Sequence, residues 1–293
     1  MPSRARGLPV TVVVCLGALA SNIAGSADAA PALLRSHAVD PAITTVYRAP
    51  HPRGVMVTTG GWAYCLQIQA LARNTGYTLL CGRYFKDGYS GYGLRAQRHL
   101  DWGDPGYLAS FARKIAALHA SVGGKLVLIG VSYSGFGIAT LASHHPELHP
   151  DRVIVIDSFL DLVARRRALP PTHETAIEID AETGGSDAAL EQRNVSVAGL
   201  AELVRAGTQL TVIWSISPDE QKEFLGATCN QSANAGALEQ LATALRSPVF
   251  GWVTESKHGY DLWDRGRAII AGKIPGRRVT FQPGASIPAG AVC

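Results

Sequence analysis

The chain has 293 residues, 47% of them hydrophobic and 17% charged, with 31 glycines and 16 prolines. That composition supports a large buried core and excludes a disordered or fibrous chain. The net charge of +4 comes from 27 Lys and Arg against 23 Asp and Glu. The signs are mixed along the whole length, with no basic run and no interleaved aromatic stripe, which argues against nucleic acid as a partner.

The first segment is expected to be an export signal, residues 1–29. Arg4 and Arg6 give a short positive end, an apolar stretch runs over 8–20, and Ala27-Asp28-Ala29 supplies the small-x-small pattern of a cleavage site. A secreted or periplasmic protein follows. The stretch is shorter than the roughly 20 residues that span a bilayer, and no later run is long enough, so no transmembrane segment is expected. Of the five cysteines, Cys15 would leave with the signal. Cys65, Cys81, Cys229 and Cys293 then read as two disulfides. Their spacing shows neither a CxxC nor a Cys/His array, so neither metal nor cofactor is implied.

After a polar, Pro-containing lead-in over 30–52, apolar runs alternate with helical patterns. Residues 54–59 read as a strand running into Gly60-Gly61, 65–73 as a helix, and 77–81 as a strand ending in a Gly/Tyr-rich loop. Asp104 caps the next helix and Pro105 occupies its first turn, where the missing N–H is harmless. Phe111, Ile115 and Leu118 share one face of that helix, which runs to about residue 119. A buried strand over 125–130 passes at once into a helix over 133–143. Further strands fall at 152–156, 209–214 and 248–253, with a helix at 234–245 between the last two. Strands alternating with helices specify an α/β fold, a mostly parallel sheet with helices on both faces. The rhythm breaks between Asp157 and Gly207. Residues 158–208 carry helical pieces around Gly184-Gly185-Ser186 and no strong strand, and they read as a small helical cap insertion or as an ordinary long crossover. The acids Glu174, Glu178, Asp180 and Glu182 suggest a solvated outer face there.

The run Leu126-Val127-Leu128-Ile129-Gly130-Val131-Ser132-Tyr133-Ser134-Gly135 is a strand, a tight turn centred on Ser132 and the start of a helix. It resembles the nucleophile elbow of the α/β-hydrolase family, usually G-x-S-x-G. The physical reason for the pattern is a strained central serine whose hydroxyl projects from the turn, which brings its flanking residues too close for large side chains. Ser134 stands where the pattern has glycine, a departure of one hydroxymethyl group.

The resemblance implies an α/β-hydrolase domain over 30–293. It implies an acid and a histidine after the nucleophile, each following a later strand. Asp219 follows the strand at 209–214, and His258, alone among nine histidines, follows the strand at 248–253. Asp157, at the end of 152–156, is the second candidate for the acid. His144, His145 and His149 read as a solvated loop. The loop at Gly60-Gly61 implies an oxyanion hole made by the amides of Gly61 and Tyr133. Trp62 and Tyr64, with Tyr89 and Tyr92, either line an acyl pocket or pack under the cap. By position along this fold, Cys65 should pair with Cys81 and Cys229 with Cys293. The implied activity is a secreted serine hydrolase acting through a Ser132-His258-Asp219 triad and an acyl-enzyme on a small-molecule or lipid ester. An acyltransferase with the same triad and a non-catalytic binding protein on the same fold are the alternatives.

Overall fold

The apolar runs read as strands are strands, and each alternates its side chains between two buried layers. Val55 and Val57 face one layer and Met56 the other; Leu126 and Leu128 oppose Val127 and Ile129; Val153 and Val155 oppose Ile154 and Ile156. Full burial of both faces is what a parallel strand flanked by helices requires, and each such side chain contributes about 1.5–3 kcal/mol. A computed structural model describes residues 42–59, 61–84, 103–217 and 228–285, which belong to one compact unit, Asp40–Cys293. The export signal expected over 1–29 lies outside the described residues.

The strands are β1 Ala42–Tyr47, β2 Gly54–Thr58, β3 Thr78–Tyr84, β4 Lys125–Val131, β5 Arg152–Ile156, β6 Gln209–Ser215, β7 Val249–Thr254 and β8 Arg277–Phe281. They form one sheet in the order β1-β3-β2-β4-β5-β6-β7-β8. The six inner strands run parallel, and β1 and β8 close the edges antiparallel. The chain turns one way from β2 to β3 and the other way from β4 onward. The switch point therefore lies between β2 and β4, where open α/β sheets bind ligands at the C-terminal strand ends.

The helices are α1 Gly61–Thr75, α2 Pro105–Val122, α3 Tyr133–His144, α4 Leu162–Ala168, α5 Glu174–Thr183, α6 Asp187–Gln192, α7 Val197–Arg205, α8 Thr228–Leu245 and α9 Tyr260–Ile270. Leu71 of α1 packs with Leu262 and Ile269 of α9 on one face of the sheet, while α2, α3, α7 and α8 cover the other. Asp104 caps α2 as expected, its carboxylate accepting the Tyr107 N–H at 2.8 Å, and the buried stripe includes Phe111, Ile115 and Leu118. Cys65 of α1 and Cys81 of β3, both fully buried, are joined in a disulfide with Cα atoms 5.8 Å apart. The expected Cys229–Cys293 bond lies outside the described residues.

Three sequence expectations need correction. Residues 42–47 are not lead-in but the edge strand β1, and β8 and α9 extend the fold beyond the last element read from the sequence. Helix α1 begins at Gly61, four residues earlier than expected, so Trp62 and Tyr64 belong to its first turn and not to a loop. Glu178, Asp180 and Glu182 of α5 are less solvated than expected. They are half-buried while Ile177 is 55% exposed; Arg166 of α4 holds Asp180 through two bonds of 2.6 and 2.5 Å.

Between β5 and β6, α7 lies against α3 and α8 as a crossover helix does. Helices α4, α5 and α6 are additional. They are tied together by Arg166–Asp180 and by Arg167–Asp187 at 2.5 Å.

Candidate active site

Ser132 occupies the turn between β4 and α3 with φ 53° and ψ −132°, a conformation that costs a residue bearing a Cβ about 1–3 kcal/mol. Neighbouring groups hold it there. Its N–H donates to the Ile156 carbonyl of β5 at 2.9 Å, and its own carbonyl accepts the Gly135 N–H at 2.9 Å. Ser132 is the N-cap residue of α3, yet its hydroxyl makes no capping bond, although serine at that position ordinarily spends its oxygen on the helix.

The flanking positions explain the sequence pattern. A Cβ at Gly130 would stand 2.3 Å from the Ser134 carbonyl oxygen, and one at Gly135 would stand 2.6 Å from the Ser158 Cβ. The crowding at Gly130 falls on the backbone of Ser134 and leaves room for its side chain. That side chain is fully buried, with its hydroxyl 3.1 Å from the Thr58 Oγ1. Serine in place of glycine thus fits the turn and fastens it to the end of β2.

Asp157 follows β5 and is 2% exposed, with φ 46°. Its Oδ1 accepts the Ser215 N–H at 2.8 Å, at the end of β6, and its Oδ2 accepts the Gly259 N–H at 2.7 Å, the residue after His258. One carboxylate therefore bridges the ends of β5 and β6 and the loop after β7, through charge-assisted bonds worth about 1.5–3 kcal/mol each. A carboxylate offers about four lone-pair sites, so two amide donors leave acceptor capacity for a third partner.

His258 is half-buried in the turn between β7 and α9, and Gly259, at φ 71°, forms the N-cap of α9. A second acid secures this loop. Asp261, fully buried, accepts Thr254 Oγ1 at 2.7 Å, Ser256 Oγ at 3.0 Å and Arg265 Nη1 at 3.0 Å. The Ser215 hydroxyl donates to the Ser256 carbonyl from the neighbouring strand. The sequence reading did not single out Asp261. Its one visible signal is the i,i+4 spacing to Arg265 on an amphipathic helix.

Gly61 and Tyr133 are the first residues of α1 and α3, which follow the adjacent parallel strands β2 and β4. First-turn amides are the ones a helix does not use itself, and they carry the positive end of its dipole. Asp219, Tyr89 and Tyr92 lie outside the described residues, as do the side chains of Trp62 and Tyr64. A cavity of about 810 Å³ opens beside the His258 loop, lined by Thr254, Ser256, Lys257, Tyr260 and Arg277 among others. Ser132 does not line it, so it is not an acyl pocket over the elbow. Two of the three clustered histidines are held by separate partners: His144 Nε2 lies 2.8 Å from the Asn194 carbonyl, and His145 Nδ1 lies 2.8 Å from Glu147. Among the described residues no three His, Cys, Asp or Glu side chains group to hold a metal ion. No described helix is long and apolar enough to cross a membrane.

No protein-family model matches the sequence, and no curated protein matches it. Solved structures do match. Carboxyl esterase 2 from the mycorrhizal fungus Tuber melanosporum is similar over 79% of this chain and 80% of its own, with a TM-score of 0.52 and 13% identity. An acylaminoacyl peptidase of Pyrococcus horikoshii matches 79% of this chain and 38% of its own, with a TM-score of 0.52 and 12% identity. The chain has the α/β-hydrolase fold. In α/β-hydrolase terms Ser132 stands at the elbow after β4, Asp157 after β5 and His258 after β7, all at C-terminal ends of parallel strands.

Proposed function

We propose that the protein is an exported serine hydrolase that cleaves a carboxylic ester, with Ser132 as nucleophile, His258 as general base and acid, and Asp157 as the carboxylate that orients His258. The observation that carries this reading is the Asp157 carboxylate, buried at the end of β5 and bonded to the amide next to His258. An uncapped serine hydroxyl in a positive-φ elbow at the adjacent strand end supports it. The esterase and the peptidase that share the fold are hydrolytic by name. Export is supported by the charged, apolar and small-residue order of 1–29, and a Cys65–Cys81 disulfide suits an oxidising compartment.

Ser132 Oγ attacks the ester carbonyl carbon as His258 takes its proton. The amides of Gly61 and Tyr133 stabilise the oxyanion. His258 then gives the proton to the departing alkoxide, leaving an acyl-Ser132, and water repeats the sequence in reverse roles to release the acid. The acid at Asp219 is the second reading, on its place after β6. Helices α4–α6, between the Asp157 strand end and α7, are the cap that limits substrate size.

Turnover of p-nitrophenyl esters of increasing acyl length tests the assignment. Ser132→Ala should lower turnover by about four to six orders of magnitude, and Asp157→Asn by about four. Asp219→Asn should stay within about tenfold of the parent enzyme. The opposite ranking of the two aspartates, in folded variants, moves the acid to Asp219. Unchanged ester turnover in Ser132→Ala overturns the hydrolase reading.

A further inference from the structure

The N-terminal ends of the parallel strands carry a second polar site, remote in the fold from Ser132. Arg53 precedes β2, Lys125 begins β4, Arg152 begins β5 and Gln209 begins β6. The sheet register sets Gly54 beside Lys125 and Arg152 beside Gln209. Arg267, in the last turn of α9, joins them. Together with Thr75 and Tyr77 these residues line a cavity of about 380 Å³, within the size range of small-molecule sites. Four cations line it and no carboxylate does. Asp151, next to Arg152, spends one carboxylate oxygen on the Leu126 N–H at 2.8 Å.

Arg152 is only 9% exposed. Its Nη1 donates to the Ile270 carbonyl at 2.7 Å, which caps the end of α9. That bond uses one of five guanidinium donors. The Nε is buried with no hydrogen-bond partner among the described residues, which adds to the cost of burying this charge, a cost that an anion held by the remaining Nη donors would offset. Burial pulls the Arg152 guanidinium below its ordinary pKa, with the Tyr77 hydroxyl acting in the opposite direction. Helix capping accounts for Arg152 Nη1 and for the placing of Arg267. It does not account for Arg53 and Lys125, which belong to the β2 and β4 ends.

We propose that this cavity is a binding site for a tetrahedral oxyanion, a phosphoryl group, anchored on Arg152 and surrounded by Arg53, Lys125 and Arg267. Guanidinium forks match phosphate oxygens in geometry and charge. The group could be presented by a soluble phosphate ester or by a lipid headgroup, and the chemistry of recognition is the same for both.

Titration calorimetry of the purified, processed protein with inorganic phosphate, at constant ionic strength against chloride, tests the site. Saturable one-to-one binding is expected, weakened at least about tenfold in Lys125→Gln/Arg267→Gln, since each substitution removes a charge-assisted bond. Both residues are exposed, so this pair tests the site without touching the Arg152 cap; Arg152→Gln should abolish binding. Parallel arms with glycerol 3-phosphate and with phosphatidic acid vesicles separate the sources. Binding of the soluble ester alone assigns a metabolite, and vesicle binding lost in the same variants assigns a headgroup. Absence of saturable binding in every arm, or equal affinity in parent and variants, overturns the proposal.

Discussion

Gly130 and Ser134 show how little room the turn at Ser132 leaves and where that room is. Because a Cβ at Gly130 would press on the Ser134 carbonyl at 2.3 Å, Gly130→Ala must displace backbone. It should cost about 1–3 kcal/mol in denaturant unfolding and lower ester turnover with it. Ser134→Gly removes only the bond to Thr58, so it should cost about 0.5–1.5 kcal/mol while turnover stays within about tenfold. A Gly130→Ala variant as stable as the parent would contradict this account of the elbow. Ser132 and Asp157 are two of only four described non-glycine residues with positive φ, and both terminate neighbouring strands. Strain is thus placed where side chains are to be presented, as functional sites tend to do.

At the scale of elements, the sequence announced the inner strands and their helices because buried parallel strands are continuous apolar runs and their crossover helices are amphipathic. It did not announce β1 or β8. Their consecutive polar residues, Thr44-Thr45 and Arg277-Arg278, point to opposite faces of the strand and so break the alternation of apolar and polar positions. The elbow was legible because sterics demand its residues. The acid was less so: Asp157 and Asp219 both follow strands, and the link from Asp157 to the His258 loop is its bond from the Gly259 N–H, which no sequence pattern displays. The contacts of α4–α6 were also illegible, since an acidic helix looks solvated until its arginine partners are placed. Arg166 bonding holds the Asp180 carboxyl below its ordinary range, burial acting the other way more weakly. A carboxyl lowered by folding stabilises at and above its unfolded pKa of about 3.9 and loses that contribution as pH falls through the folded value. With Asp180 36% exposed, the pair is worth under about 1 kcal/mol. Asp180→Asn should therefore be slightly less stable than the parent at pH 7, and the difference should shrink as pH falls below the unfolded value of about 3.9. A difference that persists undiminished at pH 3 would assign the effect to packing.

For the whole molecule, strand order is what converts distant sequence positions into one site. Ser132, Asp157 and His258 follow β4, β5 and β7, which the sheet sets within four adjacent parallel strands. The Cys65–Cys81 bond ties α1, which starts at Gly61, to the strand beside β2, and so steadies the helix proposed to supply an oxyanion donor. The most direct test of the central claim is covalent labelling of the purified protein with a fluorophosphonate, followed by peptide mass mapping. One adduct per chain on Ser132 is expected, absent in Ser132→Ala and formed more slowly in Asp157→Asn. No adduct on the folded parent protein, or an adduct on another residue with Ser132 unmodified, would contradict the account.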